Sequence, residues 1–151
     1  MDIWGVGPRI AVSGILSFAA TSMIGLKSEH LHYGFIPGTI TTILGIVLVI
    51  VGAYFWFDSV RLIVTRFKSG VLITNGAYRL VRNPMYAAFI VFIVPGVSLL
   101  LNNPWIILSS VVMMLVFKMS IHKEEEYLKQ QFGTTYEDYL SKVNQIIPFA
   151  W

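Results

Sequence analysis

The sequence predicts an all-α integral membrane protein with about four transmembrane helices and a short C-terminal helix. Three observations lead there. Hydrophobic residues make up 56% of the 151 residues and charged residues only 13%, about half the roughly 25% usual in soluble domains. The mean hydropathy is +0.70, and a soluble fold this small has no interior large enough to hide that much apolar surface. Four apolar stretches come close to the length of about 20 residues that a spanning helix needs. Composition therefore excludes an ordinary soluble domain, a disordered chain and a nucleic-acid-binding module. The absence of Cys excludes disulfides, thiolate metal sites and cysteine nucleophiles. A single domain spanning residues 1–151 is expected, with two N-terminal spans (1–57) followed by a more polar C-terminal core (58–151).

The first span runs from about Ile10 to Leu26. Asp2 and a lone Arg9 make a poor positive n-region, so it reads as a true span rather than a leader. Along it Ser13, Ser17, Thr21 and Gly25 recur every fourth residue, the spacing at which small residues let helix backbones approach closely in lipid. The second span runs from about Ile40 to Phe57, after the turn signal Pro37-Gly38. The third begins near Pro84 and ends at Leu101. The fourth starts at Pro104-Trp105 and stays apolar to about Ile121. Trp4, Trp56, Trp105 and Trp151 fall where an aromatic belt would place them. Ten of the eleven Lys and Arg residues flank one set of span ends; only Lys27 lies at the other. The positive-inside rule then puts both termini and the long middle segment in the cytoplasm of a multi-pass protein of the cell inner membrane. Any chemistry is expected on that face, because the polar sequence is there.

Two polar segments carry the candidate chemistry. The first, residues 58–86, contains the turn signal Asn75-Gly76 and ends at Asn83-Pro84, which reads as an N-cap with Pro at the first helical position. That helix end suits an anionic group; alternatively Asn83 merely caps while the arginines snorkel to headgroups. The second segment follows the fourth span. With no breaker between Trp105 and Phe132, one continuous rod of about 28 residues, roughly 42 Å, is expected. Gly133 ends it, and Thr134 with Glu137 makes a capping box for a last short helix ending near Val143. Glu124, Glu125 and Glu126 repel one another, and Arg79 and Arg82 are the available partners. Either the acidic face is simply solvated, or a cationic ligand sits between the two segments. His30 and His32 with Glu29 read as a polar loop, and no metal site is assigned.

Gly76-Ala77-Tyr78-Arg79-Leu80-Val81-Arg82-Asn83-Pro84-Met85-Tyr86 resembles the glycine-x-tyrosine and arginine-histidine-proline-x-tyrosine motif of the isoprenylcysteine carboxyl methyltransferase family, a group that includes phospholipid N-methyltransferases. Glu124-Glu125, Phe132-Gly133, Tyr136, Tyr139, Val143 and Pro148-Phe149 resemble its second signature in order and spacing. The resemblance implies a membrane-embedded methyltransferase that uses S-adenosylmethionine held at the cytoplasmic surface, acting on a lipophilic small molecule or lipid. Carried over residue by residue, it implies that Val71, Leu72 and Ile73 line the cofactor, that Tyr78, Asn83, Pro84, Met85 and Tyr86 contact it, and that Glu124 accepts hydrogen bonds from it. Arg82, Glu125 and Ser120 are the candidates for the substrate. Asn83 stands where relatives have His, and Asn can never carry charge. Ala88 replaces a usual Gly. Ser120 stands where many relatives have an Arg that grips a carboxylate, so the expected acceptor is smaller or less anionic than a prenylcysteine carboxylate. Two alternatives share parts of the pattern: an NADPH-dependent sterol-reductase-like membrane enzyme, and a non-catalytic small membrane protein that keeps the fold.

Overall fold

The computed structural model describes residues 7–27, 33–34, 36, 38–66 and 70–148. Asp2, Trp4, Glu29, His30, His32, Pro37, Phe149 and Trp151, singled out above, lie outside the described residues. Six α-helices follow one another: α1 (Gly7–Lys27), α2 (Gly38–Arg66), α3 (Pro84–Leu100), α4 (Pro104–Ser120), α5 (His122–Phe132) and α6 (Thr134–Lys142). No strand occurs among the described residues. The chain is an all-α membrane protein, as the composition requires. By length and composition α1 and α2 can each cross a membrane, and α4 with α5 passes the same test only as a bent pair. α3, with 17 residues, sits at the short end of the range for a span.

α2 continues beyond the expected end at Phe57. Its buried residues Thr41, Gly45, Gly52, Phe55, Asp58, Ser59 and Leu62 hold one heptad-like stripe through the change from apolar to polar sequence, while Arg61 and Arg66 stay exposed. The helix persists because that stripe still has α3 and the 70–80 loop to pack on. Where α2 crosses α3 the stripe consists of small residues. A Cβ on Gly45 would stand 2.9 Å from the Gly96 carbonyl oxygen, and one on Gly52 would stand 2.5 Å from Ile93. Close backbone approach replaces hydrophobic driving force between helices in lipid. α3 carries a π-helical stretch, Ala88–Ile93, in which the Val94 N–H donates to the Phe89 carbonyl. Pro95 explains it: proline has no N–H, and its ring clashes with the carbonyl four residues back, so the turn before it widens.

α1 packs on α4. Gly14 lies against Met113 and Gly25 against Asn103, and the Thr21 and Ser109 hydroxyls bond across the interface at 2.8 Å. The small-residue face is thus the contact face, although Ser13 and Ser17 return their hydroxyls to their own helix. At the end remote from the polar segments the Tyr33 hydroxyl meets Ser98 at 3.0 Å and its N–H donates to Asn102. Trp56 and Trp105 are half-buried.

Three local expectations are corrected. The rod from Trp105 to Phe132 is broken: α4 and α5 meet at 44°, with Ile121 buried at the corner. No breaking residue is needed, because an apolar helix ends there and an amphipathic one begins, and each face follows its own partner. Asn83 occupies the N-cap position of α3 but its side chain makes no cap bond; its Nδ2 donates instead to the Gln145 carbonyl at 3.3 Å. The capping box at Thr134 does not form, because Gly133, at φ +52°, serves both the end of α5 and the start of α6.

The crossing of α2 and α3 yields the first test. Gly52→Leu should lower stability by about 1–3 kcal/mol, read as a fall in Tm in detergent. Gly34→Ala, with nothing within 4 Å of the added Cβ, should move it by less than about 0.5 kcal/mol.

Candidate active site

The candidate site is built from the two polar segments, and its foundation is a carboxylate at the end of the second span. Asp58 is buried; its Oδ2 accepts the Ala77 N–H at 2.7 Å and its Oδ1 accepts Arg61 Nη2 at 2.6 Å. This anchors the short 3₁₀ turn Gly76–Arg79 against α2. Gly76 has φ +59°, and a Cβ there would strike the Asp58 carboxylate, so both backbone and space require glycine. The following residues then turn into the N-terminus of α3, with Val81, Pro84, Ala87 and Ala88 fully buried beneath.

α5 folds over this corner because of the bend at Ile121. Arg82 Nη1 donates to Glu125 Oε1 at 3.0 Å; Arg82, and not Arg79, is the partner of the acidic face. The Gln145 Nε2 donates to the same oxygen at 2.9 Å. The Arg82 and Asn83 N–H groups donate to the Asn144 and Gln145 carbonyls at 2.8 and 3.0 Å. From α6, the Tyr139 hydroxyl donates to the Tyr78 carbonyl at 2.5 Å. Tyr86 packs on Phe117 with ring centroids 5.3 Å apart.

Between these elements lies a cavity of about 380 Å³, within the range of about 300–1,000 Å³ typical of cofactor sites. Val71, Leu72, Ile73, Tyr78, Asn83, Met85, Tyr86 and Glu124 all line it, as do Arg82 and Glu125. Two expected residues do not. Pro84 is buried beneath the wall, where its ring starts α3. Ser120 is the last residue of α4, half-buried just before the bend, and the turn at Ile121 leaves it off the lining. The lining also includes residues not assigned from the sequence: Ile121 at the corner, Leu128 and Phe132 on the same face of α5 as Glu124 and Glu125, and Tyr136 and Tyr139 on α6. Their helical spacing is the signal that could have found them.

The electrostatics are uneven. Arg82 is the one Lys or Arg among the lining residues and is already paired with Glu125; its Nε is buried and has no hydrogen-bond partner among the described residues. Burial pushes the Tyr136 phenol up to about 12, helped by the Glu125 carboxylate. Burial also raises Tyr78, with Glu124 and Asp58 adding, and Tyr139, with Tyr78 and Tyr136 adding. These phenols remain protonated donors near neutral pH, so Tyr78 is no candidate for a base. The lining fits S-adenosylmethionine: the carboxylates of Glu124 and Glu125 would face its cationic groups, and apolar side chains such as Val71, Leu72 and Phe132 would cover the remainder.

An all-helical membrane protein with a largely apolar cavity that carries a few charged groups, closed by the last two described helices over the start of the third, is the class that fold and site define. The chain belongs to the phospholipid methyltransferase family, which it matches over residues 33–135. It is 44% identical over 82 residues to a probable protein-S-isoprenylcysteine O-methyltransferase of Oryza sativa subsp. indica, covering 52% of this chain and 41% of that one. It is 39% identical over 83 residues to the protein-S-isoprenylcysteine O-methyltransferase of Schizosaccharomyces pombe, covering 55% and 35%. Protein-S-isoprenylcysteine O-methyltransferase B of Arabidopsis thaliana is 38% identical over 80 residues, covering 52% and 40%. The matched stretch thus spans about two fifths or less of these curated relatives. No solved structure matches the chain.

The tyrosine cluster makes the fold sensitive to alkali. A phenol whose value rises from 10.0 to about 12 on folding contributes stability that is fully present below pH 10 and lost as pH climbs to about 12. The Tm should fall across that window, and less steeply in Tyr136→Phe.

Proposed function

We propose that this protein is a membrane methyltransferase that uses S-adenosylmethionine and acts on a lipophilic acceptor whose reactive head lies at the cytoplasmic edge of the bilayer. The observation that carries the reading is the cavity in which both signature segments meet, with Arg82, Glu124 and Glu125 among its lining residues. Membership of the family and the names of the relatives support it.

S-adenosylmethionine supplies a methyl group already activated on a sulfonium, so attack on it needs orientation more than acid–base help. The residues act accordingly. Glu124 and Glu125 accept from cationic groups, and Arg82 holds Glu125 in place. Val71, Leu72, Ile73, Met85 and Phe132 exclude water, which strengthens each of those polar contacts. Tyr78, Tyr136 and Tyr139, held protonated by burial, orient without taking protons. If the acceptor is an amine, Glu125 is the group placed to take its proton. Because the one lining cation is neutralised by Glu125, a strongly anionic acceptor such as a prenylcysteine carboxylate finds little to hold it. The favoured acceptor is smaller or less anionic.

Calorimetry of the detergent-purified protein tests the cofactor: S-adenosylhomocysteine should bind and NADPH should not, and the reverse result would favour the reductase reading. Glu124→Gln should weaken S-adenosylhomocysteine by about 1.5–3 kcal/mol, more than tenfold, with the fold intact. For the acceptor, radiolabelled methyl transfer should be faster to lipid amines or hydrophobic thiols than to a farnesylcysteine analogue. The four-span topology predicts that reporters fused after Leu101 and after Trp151 lie on opposite sides of the membrane.

A further inference from the structure

The C-terminal strap, residues 144–146, has no part in the function proposed so far, yet it bonds to three residues of the cavity wall, Arg82, Asn83 and Glu125. Its backbone holds the corner before α3. The Asn144 carbonyl accepts the Arg82 N–H at 2.8 Å, and the Gln145 carbonyl accepts both the Asn83 N–H at 3.0 Å and Asn83 Nδ2 at 3.3 Å. Its side chain holds α5. Gln145 Nε2 donates to Glu125 Oε1 at 2.9 Å, and Gln145 Oε1 accepts Lys118 Nζ at 2.5 Å. Ile146 is buried in the core and pins the strap from beneath.

Both hydrogen bonds to Glu125, from Arg82 and from Gln145, fall on Oε1. Oε2 receives none among the described residues, and Glu125 is part of the cavity wall. A carboxylate bonded to Arg82 alone could pivot about that contact and offer either oxygen to either neighbour. A second donor on the same oxygen, itself fixed by Lys118 and by a pinned backbone, removes that freedom. We infer that Gln145 is a positioning residue: its amide fixes the orientation of Glu125, so that one oxygen holds the wall together and the other is presented to a cationic group in the cavity. The inference rests on the methyltransferase reading for the identity of that group, the ammonium of the cofactor. The preorganised carboxylate then loses no orientational freedom when the ligand arrives.

Gln145→Met keeps the length and the backbone contacts and removes both amide bonds. Calorimetry with S-adenosylhomocysteine should show about a tenfold loss of affinity, the scale of a lost hydrogen bond to a charged group, with only a modest fall in Tm. The same substitution made in a Glu125→Gln background should cost almost nothing further, because the effect passes through the Glu125 carboxylate. A merely structural role for Gln145 would lower Tm and leave affinity alone. Should Gln145→Met fail to fold, Gln145→Glu retains the acceptor for Lys118 while opposing a carboxylate to Glu125, and it should lose affinity by at least as much. Equal affinity of variant and parent, or the same loss in both backgrounds, overturns the inference alone. A parent that binds no S-adenosylhomocysteine overturns the cofactor reading and this inference with it.

Discussion

A largely buried ion pair ties together two parts of the chain that are distant in sequence. Arg82 lies at the start of the third helix and Glu125 on the fifth, 43 positions apart, and their side chains are only 15% and 19% exposed. Both charges have left most of their water, and such a pair persists only when geometry is good and the remaining hydrogen-bonding capacity is filled. Gln145 supplies that second bond. The bend at Ile121 brings α5 over the corner, the strap docks on Arg82 and Asn83, and together they hold the two charges at 3.0 Å. A straight rod from Trp105 to Phe132 would carry Glu125 away from Arg82 and leave the cavity without a wall.

The other half of the site depends on Asp58, and it works by a different principle. Asp58 is the last acidic residue of an otherwise apolar helix, and its two oxygens are divided between an arginine one turn on and a backbone N–H in the loop beyond. It thereby converts a long membrane-spanning helix into a platform on which the Gly76–Arg79 turn is seated. Gly76 leaves no room for a side chain between turn and carboxylate. The membrane part of the molecule, held by small residues at Gly45, Gly52, Gly14 and Thr21, thus fixes the polar part through one anchored carboxylate.

Much of this was legible in the residues. Apolar length placed the helices, because a bilayer imposes the same demand on any chain, and eight of the nine expected cofactor contacts line one cavity. The remainder was hidden where tertiary contacts override local signals. Asn83-Pro84 has the form of a capped helix start, but the cap is replaced by a bond to Gln145, a partner sixty-two positions away that no local pattern announces. Thr134 and Glu137 have the form of a capping box, but Gly133 supplies a positive φ that joins two helices directly. The bend at Ile121 has no breaking residue at all. Ser120 shows the consequence: on a straight helix it would share a face with Glu124, and on the bent one it does not line the cavity. Asp58 and Gln145 were passed over because an isolated acid and an isolated amide carry no motif.

The account's central claim is that the Arg82–Glu125 pair is what unites the two halves of the site, and a double-mutant cycle on unfolding free energy in detergent measures it directly. Arg82→Met and Glu125→Met should each destabilise the protein by stranding the opposite charge, and the double variant should recover much of the loss, giving a coupling of about 1–3 kcal/mol. Losses that simply add, to within about 0.5 kcal/mol, would contradict it.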